Sequence, residues 1–157
     1  MAEVWVADEG DAASVTALMV AFRNHIGRDW PSDDLVRATV DSLLRDPATE
    51  FLLAAPEGRD APAGVCQLRY RLSVWTASDD CWLEDLYVRE AARRGGLGQA
   101  LVEAALAGAK QRGCRRIELD VNEDNGAALA LYRACGFTLE PKPPGRTLFV
   151  GRALGEY

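Results

Sequence analysis

Val88-Arg89-Glu90-Ala91-Ala92-Arg93-Arg94-Gly95-Gly96-Leu97-Gly98-Gln99-Ala100-Leu101 is the stretch whose reading decides the fold. Before it, Trp82, Leu83, Leu86, Tyr87 and Val88 form an apolar, strand-like run. After it, an alanine- and leucine-rich helical pattern opens at about Leu97. Strand, basic glycine turn and helix start, in that order, make a place to hold phosphate. The first N–H groups of a helix have no intrahelical partner, and the helix dipole leaves partial positive charge there. Glycines 95, 96 and 98 allow a tight turn and let a ligand approach the backbone.

Two other phosphate loops fit less well. A P-loop needs Lys and Ser or Thr after its last glycine, but Gln99 and Ala100 follow Gly98. The dinucleotide fingerprint wants a small residue where Leu101 stands, and its first glycine should leave the strand directly. Glu118 and Asp120 stand where a ribose-binding acid would be wanted, but spacing alone leaves a nucleotide-dependent oxidoreductase as a weak alternative.

The better match is Arg93-x-x-Gly96-x-Gly98 after Leu83-Glu84-Asp85-Leu86-Tyr87-Val88, followed by Asn125-x-x-Ala128-x-x-Leu131-Tyr132-x-x-x-Gly136-Phe137. Together these resemble the acetyl-CoA-binding core of the GNAT superfamily of N-acetyltransferases, and most of all its diamine and polyamine branch. The resemblance covers Trp82 to Phe137. It departs at Glu90, where the family often has proline, and at Arg94, where it has glycine. Arg94 removes a flexible residue and adds a cation beside the expected pyrophosphate.

Composition sets the outer limits. A chain of 157 residues, 48% hydrophobic and 27% charged, reads as one domain over residues 1–157 with a core of its own, which the resemblance implies is an N-acetyltransferase domain. Its net charge of −6 argues against nucleic acid and mildly favours a cationic partner. Four cysteines without a C-x-x-C pair and a single His give no zinc pattern, so no metal is expected. With no signal-peptide pattern and no long apolar run, the expectation is a cytoplasmic protein with reduced thiols and no membrane partner. Oligomeric state is not legible, and a homodimer is one option.

Along the chain, Val4 to Ala7 reads as a short strand, and Asp11 or Ser14 caps a helix to about Asn24. Ser32 starts a second helix that Asp46-Pro47 ends. Strands follow at Phe51 to Ala55, Gly64 to Trp75 and Cys81 to Val88. The helix from Leu97 is closed by Gly113, Ile117, Leu119 and Val121 alternate as in a strand, and a helix from Asn125 ends at Gly136. Residues 137–139 and 147–150 read as closing strands around a Pro/Gly loop. The fold class is therefore α/β, a single mixed central sheet flanked by helices on both faces.

Acetyl transfer to an amine sets the chemistry to look for. An alkyl ammonium must lose a proton, the leaving thiolate gains from a proton donor, and the oxyanion needs a fixed N–H. Glu84, beside Asp85 on a strand, is the candidate base, with alternation putting the two carboxylates on opposite faces. The resemblance implies that Glu84 contacts the amine acceptor, either taking its proton or only binding its ammonium. Tyr132 is the expected acid, because its phenol stays protonated until a thiolate forms. The resemblance implies that main-chain groups of Leu86, Tyr87 and Val88 meet the pantetheine of acetyl-CoA. It also implies that Arg93, Arg94, Gly95, Gly96, Leu97, Gly98 and Gln99 hold the pyrophosphate. Asn125 and Ala128 belong to the same cofactor set, with Asn125 bonding either pantetheine or its own helix start.

His25 and Trp30, with Asp29, Asp33 and Asp34, lie near the first inter-helix turn, where the family commonly builds part of its acceptor site. Trp75 and Trp82 with Asp79 and Asp80 are a further amine-contact set. The expected acceptor is a small polyamine- or aminoglycoside-like amine. Protein or peptide amines, and a non-catalytic acyl-CoA-binding regulatory domain, are the alternatives.

Overall fold

Residues 51–55 carry apolar side chains at every position, as suits a strand covered on both faces. In the computed structural model, which describes residues 2–156, this strand is β2 (Thr49–Ala55), inside a five-stranded sheet. The other strands are β1 (Glu3–Val6), β3 (Gly64–Ser73), β4 (Ser78–Val88) and β5 (Ile117–Glu118), in spatial order β1-β2-β3-β4-β5. The first four pair antiparallel, and β5 pairs parallel to β4, so the sheet is mixed.

Four helices accompany it: α1 (Ala12–His25), α2 (Asp33–Arg45), α3 (Leu97–Gln111) and α4 (Gly126–Ala134). α1 and α2 cover one face, where Val15, Leu18, Val36 and Val40 pack on Phe51, Leu53, Ala55 and Val65. The alternate β2 residues, Leu52 and Ala54, are also buried. They turn to the opposite face, where α3 packs across β1 to β4. The alanines of α3 matter here, since small side chains bring its backbone close to the sheet. A Cβ on Gly64 would lie 3.0 Å from Leu101 Cδ1 and 3.4 Å from Val88 Cγ2.

Local chemistry explains the helix ends. Ser32 Oγ accepts from the Leu35 N–H at 3.3 Å and starts α2, and Gly113, at φ +92°, follows the end of α3. α1 begins after a short 3₁₀ turn at Glu9–Asp11 that the Asp8 side chain caps; Asp11 Oδ2 accepts from the Asp8 N–H in that capping box and makes no cap bond to α1.

The chain separates into two units, residues 1–120 and 121–157. The second holds α4, whose start Asn125 caps, and the Tyr132 ring, which meets Phe137 edge-on at 5.5 Å. Two expectations are corrected. The strand at Ile117 stops after Glu118, and residues 137–139 and 147–150 form no strand. Leu148, Phe149 and Val150 are exposed, and Pro141, Pro143 and Pro144 lack ladder donors. Apolar alternation does not supply a pairing partner. Among the described residues no helix is long and apolar enough to cross a membrane.

Candidate active site

The end of β4 is built differently from the rest of the sheet. Its register against β3 steps from Leu83↔Leu68 to Asp85↔Gln67, passing over Glu84. Such a bulge adds one residue to one strand and breaks strict alternation. On the other edge, β5 pairs with Cys81 and Trp82, and among the described residues no strand pairs with residues 83–88 there. Main-chain groups along that edge lack a ladder, the condition under which a strand can bond a ligand instead.

That free edge runs into the glycine turn. Gly96 sits at φ +80° as the residue before α3, a conformation open to glycine without a Cβ penalty. Arg94 also has positive φ, +70°, at the position where the family has glycine. Unlike α2 and α4, α3 receives no side-chain cap. Leu97 is buried as an anchor, Gly98 is half-buried, and Gly95, Gly96 and Gln99 are exposed, with Gln99 donating to Glu103 Oε1. Arg93 turns back on β4. Its Nε donates to the Val88 carbonyl at 3.0 Å, and its guanidinium lies 5.9 Å from the Tyr87 ring centre and 3.5 Å from His25 Nε2. Arg93 therefore braces the turn against β4, while exposed Arg94 is the cation left on the turn itself.

On the face covered by α1 and α2, unit 1–120 holds a cavity of about 330 Å³. Met19, Phe22, Trp30, Val36, Val40 and Phe51 give it apolar walls; Gln67 and Asp85 meet in it from adjacent strands. Glu84 is exposed. Asp85 is the half-buried member of the pair, and burial, reinforced by the Glu84 and Asp120 charges, pushes its carboxyl up to about 6. Its side chain makes no ion pair or hydrogen bond to another described residue. Arg23, also in the wall, is occupied by Asp33 at 2.8 Å and the Pro31 carbonyl at 2.7 Å.

The remaining expected residues scatter. Exposed Trp30 lines the cavity, while His25 packs against Tyr87, whose ring stacks on Phe22 at 5.2 Å. Tyr87 thus carries two kinds of contact, its backbone on the free edge and its ring on α1. Asn125 Oδ1 accepts from the Ala128 N–H at 3.1 Å, so here it caps its own helix. Trp75 is 90% exposed, Asp79 pairs with Arg112, and Asp80 with Arg116, so these residues assemble no amine site. No cluster of three or more His, Cys, Asp or Glu among the described residues could hold a metal. Sequence reasoning named Asp85 only as the neighbour of Glu84 and did not single out Gln67. The signal was a glutamine inside an otherwise apolar strand segment, Gly64-Val65-Cys66-Gln67-Leu68.

Known proteins share this arrangement. The profile of the acetyltransferase (GNAT) family matches residues 16–137. An aminoglycoside N(6')-acetyltransferase type 1 of Stenotrophomonas maltophilia is 32% identical over 110 residues, 69% of this chain and 72% of that protein. A thialysine N-epsilon-acetyltransferase of Bos taurus is 32% identical over 144 residues, 83% of this chain and 80% of that protein. The solved structure of an Arthrobacter sp. FB24 protein assigned to the acetyltransferases superposes with a TM-score of 0.84 at 31% identity, covering 97% of this chain and 96% of that one. The chain belongs to the acetyltransferase (GNAT) family and is an acetyl-CoA-dependent N-acetyltransferase.

Proposed function

We propose that residues 1–157 act as one N-acetyltransferase domain that moves acetyl from acetyl-CoA directly to a small primary amine within a ternary complex. The amine nitrogen attacks the thioester carbonyl carbon, the N–C bond forms and the C–S bond breaks. A carboxylate of the Glu84-Asp85 pair takes one proton from the ammonium before attack, and the second proton that nitrogen sheds as the amide forms leaves to water. Tyr132 keeps the role its motif implies and gives its phenolic proton to the departing thiolate. Main-chain groups of residues 86–88 bond the pantetheine and polarise the carbonyl, and residues 93–99 hold the pyrophosphate at the uncapped start of α3.

One observation carries this reading: the unpaired edge of β4, from residue 83 to 88, leads into a glycine turn whose helix no side chain caps. The buried thiols add support. Burial raises the Cys66 thiol and pushes Cys81 up to about 12, so neither offers a thiolate for an acetyl-cysteine intermediate. Similarity to enzymes acting on aminoglycosides and thialysine favours a small amine over a protein. The test is calorimetric titration with acetyl-CoA, followed by detection of free CoA across a panel of amines. Binding and amine-dependent CoA release are expected. Binding without release from any amine would instead mark a non-catalytic acyl-CoA-binding domain.

A further inference from the structure

The cavity beside Asp85 has a chemistry that neither a polyamine nor an aminoglycoside matches. Its walls are aromatic and branched aliphatic, from Phe22, Trp30, Val36, Val40 and Phe51. Its volume, about 330 Å³, is at the small end of the ~300–1,000 Å³ usual for small-molecule sites. One carboxylate, Asp85, lines it. The cations of the wall run the other way: Arg23 is neutralised by Asp33, but exposed Arg28 adds a positive charge where a second ammonium would lie. Each extra ammonium would need a partner the cavity lacks, and an unpaired buried charge is strongly disfavoured.

Gln67 strengthens the case. It is only 5% exposed, faces Asp85 across the β3–β4 register and lines the cavity, and its side chain makes no hydrogen bond to another described residue. An amide with no side-chain partner, open to the cavity beside a half-buried carboxylate, is a polar end that can accept from a donor. A primary ammonium offers three.

Resting on the acetyltransferase reading, we infer that the acceptor is a monoamine on an apolar, aryl or branched alkyl body, and that Asp85 binds its ammonium and takes its proton. The apolar body fills the space between α1 and α2, and Gln67 accepts a second N–H. One ammonium proton passes to an Asp85 oxygen before nitrogen attacks, the second leaves to water as the amide forms, and the thiolate is protonated as proposed above. Glu84, lifted out by the bulge, stays in solvent. The carboxyl of Asp85 ionises near pH 6, so it is a carboxylate at neutral pH yet a stronger base than an exposed one.

The experiment compares kcat/KM for 2-phenylethylamine, isoamylamine, spermidine and kanamycin. Parent enzyme, Asp85→Asn and Arg28→Glu are used, with acetyl-CoA affinity measured separately. The monoamines are expected to exceed both polycations by tenfold or more. Asp85→Asn should lower kcat/KM for 2-phenylethylamine about 100-fold, leave acetyl-CoA affinity within twofold, and remove a rise in kcat/KM near pH 6. Arg28→Glu, at an exposed position, should shift the spermidine to 2-phenylethylamine ratio at least fivefold toward spermidine. Polycations leading in the parent enzyme, an active Asp85→Asn, or an unmoved ratio in Arg28→Glu would each overturn the inference. Turnover led by polycations leaves the acetyltransferase reading standing; acetyl-CoA binding with no CoA release from any amine removes both.

Discussion

Glu84 and Asp85 differ by one methylene and one position, yet their surroundings give them opposite fates. The sequence says only that neighbouring strand residues face opposite ways. Which one faces the cavity depends on the register step at Gln67/Leu68, and a bulge leaves no reliable mark on residue type. Tyr132 is a different case, because its motif names it directly. If its phenol protonates the thiolate only as the C–S bond breaks, Tyr132→Phe removes an interaction made in the transition state alone. Turnover should then fall on the order of 100-fold with acetyl-CoA affinity unchanged. Pre-steady-state kinetics, isolating the chemical step, is the measurement; an unaltered chemical rate would reduce Tyr132 to the ring that packs on Phe137.

At the scale of elements, the glycine turn was readable because it is local: Gly96 supplies the left-handed residue and the alanines announce a helix lying close to a sheet. The free edge of β4 was not readable. It depends on how short β5 is, and β5 ends where Leu119 and Val121 still alternate as a strand should. The same kind of misreading turned residues 147–150 into a strand. Alternation records which side chains are apolar, whereas pairing depends on a neighbour elsewhere in the chain. Gly98 tests the turn itself. It lies in the first turn of α3, beside the N–H groups assigned to the pyrophosphate, so Gly98→Val places a branched side chain where a ligand must come close. The Kd for acetyl-CoA should rise at least tenfold, about 1.4 kcal/mol or more. Circular dichroism should stay that of the parent, since one half-buried residue in the first turn of a 15-residue helix has changed. Undiminished affinity in a folded variant would move the pyrophosphate elsewhere.

For the whole molecule, two aspartates pull the pH dependence of stability in opposite directions. Arg116 beside Asp80 holds that carboxyl below the usual value of 3.8, so the pair stabilises the fold above that pH, and the gain is lost as pH falls through the folded value. Asp85 has the reverse sign. Below 3.8 it is protonated in both states and costs nothing. Between 3.8 and about 6 the unfolded chain releases the proton first, so stability falls as pH rises, and above 6 the full cost remains. The groups around it do not cancel this. Glu84 and Asp120 are like charges, Arg23 is committed to Asp33, and Arg28 lies exposed at the cavity wall. Allowing for partial solvent access, the cost at pH 7 is on the order of 2 kcal/mol. The melting temperature should therefore peak near pH 4, fall between about pH 4 and 6, and level off toward neutrality. Asp85→Asn should abolish the decline and melt roughly 4–6 °C higher than the parent at pH 7, by the usual scaling for a chain of this size. A variant both steadier and less active identifies a carboxylate kept for chemistry at the expense of the fold. Calorimetric scans from pH 4 to 8 decide it: a parent that stabilises steadily toward pH 7, or an Asn variant that melts lower, would make Asp85 a structural residue.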